Sequence, residues 1–191
     1  MSVFKLAIRI STWRRTMTDI CTRYPVAYLI TIRCYGTFLP GQEGRVDRIK
    51  FNSYGTGNLP AHSGLEKYSN ATLTQPPYYM DEARRKIILD TIISVSKYRK
   101  WILHAAHVRS NQFHAIIGGN VKPEFIVKDL KSYGSRHLNL AGLDCKDRKR
   151  WARHGSTKYL WNMESVADTI DYVIRRQGAM MELYEGSAHT A

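Results

Sequence analysis

The chain has 191 residues, a length that at roughly 150 residues per domain predicts a single domain. Its composition, 43% hydrophobic and 24% charged residues, excludes a disordered or fibrous protein. No apolar run reaches about 18 residues, which excludes a membrane span, and the N-terminus lacks a signal-peptide pattern. The 3 cysteines form neither a CxxC pair nor an even set, so we expect free thiols in a cytoplasmic protein.

The charge balance favours a polyanionic partner. There are 29 Lys and Arg residues against 16 Asp and Glu, which gives a formal net charge of +13. Residues 121–158 are the most basic part of the chain. This distribution predicts nucleic acid as the partner, and a basic surface that only maintains solubility is the alternative.

The first third of the chain predicts an extension, a strand and a long loop. Residues 1–24 mix apolar and basic side chains without a period, and we expect a basic N-terminal extension. The β-branched and aromatic run at 26–34 predicts a buried strand. Residues 35–77 are rich in Gly and Pro and predict an irregular loop. The folded domain is expected to span 25–178, followed by a C-terminal tail at 179–191.

The remaining elements predict an α+β fold. Residues 81–100 have the acidic start and basic end of a helix, and two strand-like runs at 101–108 and 112–118 predict a hairpin. Pro123 begins a second helix, and a third runs from Asn162 to Gly178. Strands joined in this order predict a ferredoxin-like antiparallel sheet with helices packed on one face.

A cluster of metal-binding side chains is predicted on this sheet. Gln112 and His114 alternate along a strand, so they project from the same face and both can bind a divalent metal. The second helix has an apolar stripe of Ile126, Leu130, Tyr133 and His137. Packed on the sheet, this helix is expected to bring Tyr133 and His137 over Gln112 and His114. A strand histidine with a purely structural role is the alternative.

Four segments resemble one family. HVRSNQFHAII resembles the strand of the HUH endonuclease superfamily in which two histidines flank one hydrophobic residue, and LKSYGSRHLN resembles the helix that carries its single catalytic tyrosine. AYLITIRCYGTFLPG and WARHGSTKYLWNMESVADTIDYVIRRQG are similar to a bacterial branch of single-tyrosine transposases related to REP-associated tyrosine transposases. The resemblance covers roughly residues 25–178, which is most of the chain. It implies a ferredoxin-like domain that cleaves and rejoins single-stranded or hairpin DNA of a mobile element.

The resemblance also implies the roles of the site residues. Tyr133 is expected to be the nucleophile that forms a phosphotyrosine, with Tyr172 as the next candidate. Gln112, His114 and His137 are the expected ligands of a divalent metal, Mg²⁺ or Mn²⁺. Gln112 stands where the family carries the first histidine. A catalytically decayed DNA-binding protein of the same fold is therefore the alternative function, and an RNA-binding module is the third.

Basic residues interleaved with aromatic ones predict the DNA-binding surface. Such a pattern suits phosphate neutralisation and base stacking on single-stranded or hairpin DNA. The expected DNA contacts are Lys131, Arg136, Lys149, Arg150, Arg153 and Lys158. Tyr159 and Trp161 belong to the same pattern, with core packing as the alternative. Formation of a homodimer is left open, and His104, His107 and the cysteines are expected to be structural.

Overall fold

A computed structural model describes residues 24–42 and 61–186 of the chain. The predicted extension lies outside the described residues except for Tyr24, as does the middle of the predicted loop. The described part contains strands β1 (Ala27–Arg33), β2 (Ile102–Val108), β3 (Gln112–Gly118), β4 (Ser156–Leu160) and β5 (Glu182–Glu185), and helices α1 (Ser63–Ala71), α2 (Glu82–Arg99), α3 (Pro123–Leu140) and α4 (Met163–Arg175).

The strands form one antiparallel sheet in the order β4-β1-β3-β2-β5. The first four strands, with α2 and α3 between them, have the order of a ferredoxin-like unit, so the predicted α+β class is confirmed. The boundary at 178 is wrong, because β5 pairs with β2 and extends the sheet. This strand is only four residues long, and pairing with β2 supplies the stability that its own sequence pattern does not indicate.

The larger core lies between one face of the sheet and the two helices α2 and α3. Because side chains alternate along a strand, every second residue of β1 and β3 contributes to it. This core contains Tyr28, Ile30 and Ile32 of β1, Phe113, Ala115 and Ile117 of β3, Ile88, Ile92 and Val95 of α2, and Ile126, Leu130 and Leu138 of α3. α2 and α3 therefore hold one face of the sheet out of water.

Helix α4 covers the opposite face. The residues of β1 and β3 that alternate with the larger core, such as Ala27 and Ile116, pack against Val166, Val173 and Ile174 of α4. The prediction that the helices pack on one face is thus correct for α2 and α3 and wrong for α4. The reason is that β1 is apolar on both faces, and a sheet that is apolar on both faces needs a cover on each.

Helix α3 contacts the sheet along a stripe that differs from the predicted one. Its buried residues recur every four positions, at Ile126, Leu130, Gly134 and Leu138. Gly134 allows a close approach, since a Cβ there would lie 3.0 Å from the Ile88 side chain and 3.3 Å from Trp151. The centre of the stripe is therefore one residue away from Tyr133 and from His137.

Two further findings concern the remaining expectations. Helix α1 lies inside the stretch that was predicted to be irregular. His62 is its N-cap residue, and the Nδ1 atom of His62 accepts a hydrogen bond from the Leu65 amide at 3.0 Å. Cys34 and Cys145 are free thiols, as expected, and burial raises the pKa of Cys34 to about 12. Within residues 24–42 and 61–186, none of the helices is long and apolar enough to cross a membrane.

Candidate functional site

A group of polar residues occupies one end of the sheet, on the face that α4 covers. Gln112 begins β3 and pairs with Arg33 at the end of β1, and His114 pairs with His107 of β2. Gln112 and His114 alternate with the buried Phe113, so they share the α4 face, as the sequence predicts. Arg109 follows β2 in the hairpin turn, and its amide donates to the Gln112 carbonyl at 2.8 Å.

His114 is held as a neutral imidazole. Gln112 Nε2 donates to His114 Nε2 at 3.2 Å, and His114 Nδ1 lies 2.9 Å from Thr31 Oγ1. Burial is the main cause that lowers the pKa of His114 from 6.5 to about 4, and the positive charges of Arg109 and Arg33 lower it further. Nδ1 therefore carries the proton, and the lone pair of Nε2 points towards Gln112.

The C-terminal end of α4 closes over this group. Gln177, just after α4, lies beside His114, and its side chain acts to raise the pKa of the imidazole. His107 Nδ1 donates to the Val173 carbonyl of α4 at 2.9 Å, and His107 Nε2 accepts from the Met181 amide at 3.3 Å. His107 thus has the structural role expected of it, because it ties both ends of the segment that carries Gln177 to β2.

The structure does not bring Tyr133 and His137 to Gln112 and His114. Helix α3 packs on the other face of the sheet, and His137 Nδ1 lies 2.8 Å from Thr91 Oγ1 of α2. The Tyr133 ring packs edge to face with His137 at 6.3 Å. The expected ligand set of Gln112, His114 and His137 is therefore wrong within one chain, because the sheet separates its members.

Tyr172 lies on the helix that covers the face of Gln112 and His114. It lies on α4, directly before Val173, which accepts the hydrogen bond from His107. Its side chain is 47% exposed, so a bound strand can reach the phenol. From the sequence, Tyr172 was the second candidate nucleophile, and Gln177, Arg109 and Arg33 were not predicted. Two features of the sequence could have indicated them. The third predicted helix ends in polar residues, and β1 is apolar on both faces, so that one helix has to cover each face of the sheet.

The residues present do not fit the divalent metal predicted for this site. Gln112 and Gln177 offer carboxamide oxygens, and His114 offers an imidazole. The positive charges of Arg109 and Arg33, however, lower the pKa of this imidazole. In the described part of the chain, no cluster of three His, Cys, Asp or Glu side chains could hold a metal. A hard divalent cation is usually bound by at least one carboxylate. The positive charges of Arg109 and Arg33 instead oppose the binding of a cation beside His114.

Two of the predicted DNA contacts are occupied inside the protein. Arg150 is buried, and it donates to Asp144 Oδ2 at 2.9 Å and to the Cys145 carbonyl at 3.0 Å. Lys131 Nζ donates to the Ala152 carbonyl at 2.7 Å, and burial lowers its pKa. The expectation for Arg150 is wrong, since a buried and paired guanidinium is not accessible to DNA. Lys131 positions the segment after α3.

The other four predicted contacts lie on the surface. Arg136, Lys149, Arg153 and Lys158 are all exposed. The Arg136 guanidinium lies 5.3 Å from the Tyr133 ring centre, and Lys149 Nζ donates to Thr74 Oγ1 at 2.6 Å. These four side chains are therefore free to move to phosphates at little cost, because surface contacts of this kind are weak.

Two exposed aromatic rings lie at the end of the edge strand β4. Tyr159 and Trp161 are stacked, with ring centres 6.0 Å apart and planes at 18°, and they are 46% and 60% exposed. Tyr28 packs edge to face against Tyr159 at 5.2 Å. A cavity of about 390 Å³ adjoins Tyr159, and its other lining residues are Tyr24, Tyr28, Lys122, Pro123 and Glu124. We call Tyr159 and Trp161 the aromatic pair.

Comparison with known proteins gives one similar structure. No protein-family model matches the chain, and no curated protein matches its sequence. Among solved structures, a REP-associated tyrosine transposase bound to a REP hairpin is similar, with 12% identity over 80% of this chain and 67% of that chain and a TM-score of 0.46. The function proposed below rests on the residues of the site.

Proposed function

We propose that this protein cleaves and rejoins single-stranded or hairpin DNA, with Tyr172 as the nucleophile. The observation that carries the proposal is the meeting of Gln112, His114 and Gln177 beneath the end of the helix that bears Tyr172. The resemblance of the strand segment to the HUH endonuclease superfamily supports the reaction class. The net charge of +13 supports a nucleic acid as the substrate.

The chemistry follows from the groups on this face. The Tyr172 oxygen attacks the phosphorus of a bound strand, and its phenolic proton passes to solvent. The bond from phosphorus to the departing nucleotide oxygen breaks, and that oxygen takes up a proton. Gln112 and Gln177 orient the phosphate through their amides, with His114 held between them. The phosphotyrosine keeps the energy of the broken bond, so attack by a second hydroxyl end rejoins the strand.

The test is a search for a protein-linked strand. We expect the purified protein, incubated with labelled hairpin DNA, to give a product that survives denaturing electrophoresis and disappears after protease digestion. The reaction is run with excess Mn²⁺ and with EDTA, because the divalent metal remains a prediction from the resemblance. A protein that binds the hairpin and yields no linked strand under either condition contradicts the proposal.

A non-catalytic DNA-binding protein is the second candidate function. The observation that favours it is Gln112, which stands at a position where the resemblance implies a histidine, beside an imidazole whose pKa the charges of Arg109 and Arg33 lower. In that case the pocket still binds a strand, and the phenol of Tyr172 stays unmodified. The same experiment separates the two candidates, since only the enzyme forms a covalent product.

The aromatic pair gives a prediction about binding that does not depend on cleavage. Trp161→Ala should weaken the binding of an unpaired oligonucleotide about tenfold, because stacking on an aromatic side chain contributes about 1–3 kcal/mol per base. Fluorescence anisotropy of a labelled single strand measures it. Tyr98→Ala is the matched control, since Tyr98 is equally an exposed ring, 69% exposed, on α2. Equal losses in both variants contradict a specific role of the aromatic pair.

A further inference from the structure

The group of residues around Gln112 and His114 has the charge of an anion site. We infer that Arg109 binds a phosphodiester group of the nucleic acid there, directly and without a metal ion. The inference rests on the proposed function only for the identity of the anion. It departs from the metal-dependent site that the resemblance implies, and the departure comes from the residues that surround His114.

The position of Arg109 is fixed by the hairpin and by the segment after α4. Its amide donates to the Gln112 carbonyl at 2.8 Å, which holds it beside the first residue of β3. Gly178 lies against its guanidinium, since a Cβ on Gly178 would be 3.5 Å from Nη2 and 3.6 Å from Nη1. Gly178 has a φ of +81°, which favours glycine, and this conformation leaves room for the guanidinium.

One nitrogen of Arg109 lacks a hydrogen-bond partner inside the described part of the protein. Its Nη1 is buried and has no hydrogen-bond partner within residues 24–42 and 61–186. A buried donor without a partner is destabilising, and more so when it carries a charge, so such an atom is uncommon unless a ligand completes it. A guanidinium presents parallel N–H groups whose spacing matches two oxygens of a phosphate.

The surrounding charges select an anion over a cation. Arg33 pairs with Gln112 across the sheet, and both Arg33 and Arg109 act on His114. The carboxylate of Glu182 raises the pKa of His107, and it forms an ion pair with Arg85. Arg33 and Arg109 therefore add positive charge around His114, and positive charge favours an anion over a cation.

The amides add the remaining contacts. Gln112 and Gln177 each carry an N–H₂ group that can donate to a phosphate oxygen, and both already contact His114. A carboxamide serves an anion through its nitrogen as readily as it serves a metal through its oxygen. The substitution of a family histidine by Gln112 therefore suits a phosphate held by hydrogen bonds, where a metal would lose one of its imidazole ligands.

The first experiment locates the anion and the metal by NMR of the His114 imidazole in the full chain. Inorganic phosphate added in EDTA should shift the His114 ring resonances, and Arg109→Gln should remove the shift. Mn²⁺ alone, at a concentration equal to that of the protein, should leave these resonances sharp. Selective broadening of His114 by Mn²⁺ without phosphate would show a resident metal site and overturn the inference.

The second experiment measures affinity for a short oligothymidylate in EDTA. Arg109→Gln should weaken binding at least about tenfold, because hydrogen bonds between charged groups are among the stronger ones in proteins. Arg109→Lys should restore part of the affinity, since it keeps the charge and loses the fork. Lys86→Gln is the control, an exposed side chain on α2 with the same loss of charge. Thermal unfolding of each variant confirms that it folds.

The outcomes separate this inference from the proposed function. Equal affinity of Arg109→Gln and Lys86→Gln overturns the inference, as does a linked strand that forms with Mn²⁺ and never in EDTA. In the latter case the proposed function stands. Loss of phosphate binding in Arg109→Gln, together with the absence of any linked strand in the wild-type protein, supports the inference and removes the catalytic function.

Discussion

Tyr172→Phe should abolish the covalent product between the protein and a labelled hairpin strand, whereas Tyr133→Phe should form it at the wild-type level. Tyr172 lies on α4, on the same face as Gln112 and His114, and Tyr133 lies on α3 behind the sheet. A phenol on the far face cannot reach a phosphate held at His114 of the same chain. Each substitution removes one hydroxyl and keeps the ring, so the fold should be retained in both variants.

The measurement is the fraction of labelled strand that migrates with the protein under denaturing conditions. Circular dichroism and hairpin affinity are recorded for both variants, and both should equal the wild-type values within error. A linked strand in Tyr172→Phe together with its loss in Tyr133→Phe would restore the original assignment. It would also require that the phosphate is presented to α3, by a second chain or at another site.

Much of the sheet could be predicted because it depends on local rules. The period of two along β3 places Gln112 and His114 on one face, and their side chains are 3.2 Å apart between nitrogens. The boundaries of α3 and α4 follow from Pro123 and from the cap of Asn162, whose Oδ1 accepts from the Ser165 amide at 2.8 Å. These features involve residues that are close in sequence.

The face on which each helix packs could not be predicted in the same way. An apolar stripe shows that a helix is buried on one side, and it does not indicate which face of the sheet it meets. Tyr133 and Tyr172 both lie on helices that carry an apolar stripe of this kind. The contact of His107 with Val173, 66 residues apart in the chain, decides the matter for α4. Long-range contacts of this kind leave no local pattern.

The segment between α3 and β4 shows a second limit of sequence patterns. Its charge run predicts a basic linker that is open to DNA, yet its central residues build a buried polar network. Asp144 Oδ2 accepts from Arg150 at 2.9 Å and from the Tyr78 hydroxyl at 2.6 Å, and Asp144 Oδ1 accepts from Arg84 Nη2 at 3.0 Å. A charge pattern does not reveal which of several arginines finds a carboxylate partner.

This network leads to the largest expected change in stability. Asp144→Ala should lower the free energy of unfolding by about 3–5 kcal/mol, the usual cost of leaving a buried charge without its partner. The side chains of Asp144 and Arg150 are only 6% and 3% exposed, and Arg84 would lose its interior partner as well. Urea unfolding followed by circular dichroism gives the difference.

Asp129→Ala is the control, because its pair with Arg99 at 2.8 Å joins α2 to α3 nearer the surface and should contribute about 1 kcal/mol or less.

The pH dependence of the stability adds a second measurement. Burial raises the pKa of Asp144, but hydrogen bonds from Tyr78, Arg150 and Arg84 outweigh it and hold the pKa below the ordinary 3.8. The stabilisation is therefore complete above that value and is lost as the pH falls through the lower pKa of the folded state. Asp144→Ala should lack this loss, and equal stability of the two variants would show that the network does not hold the segment in place.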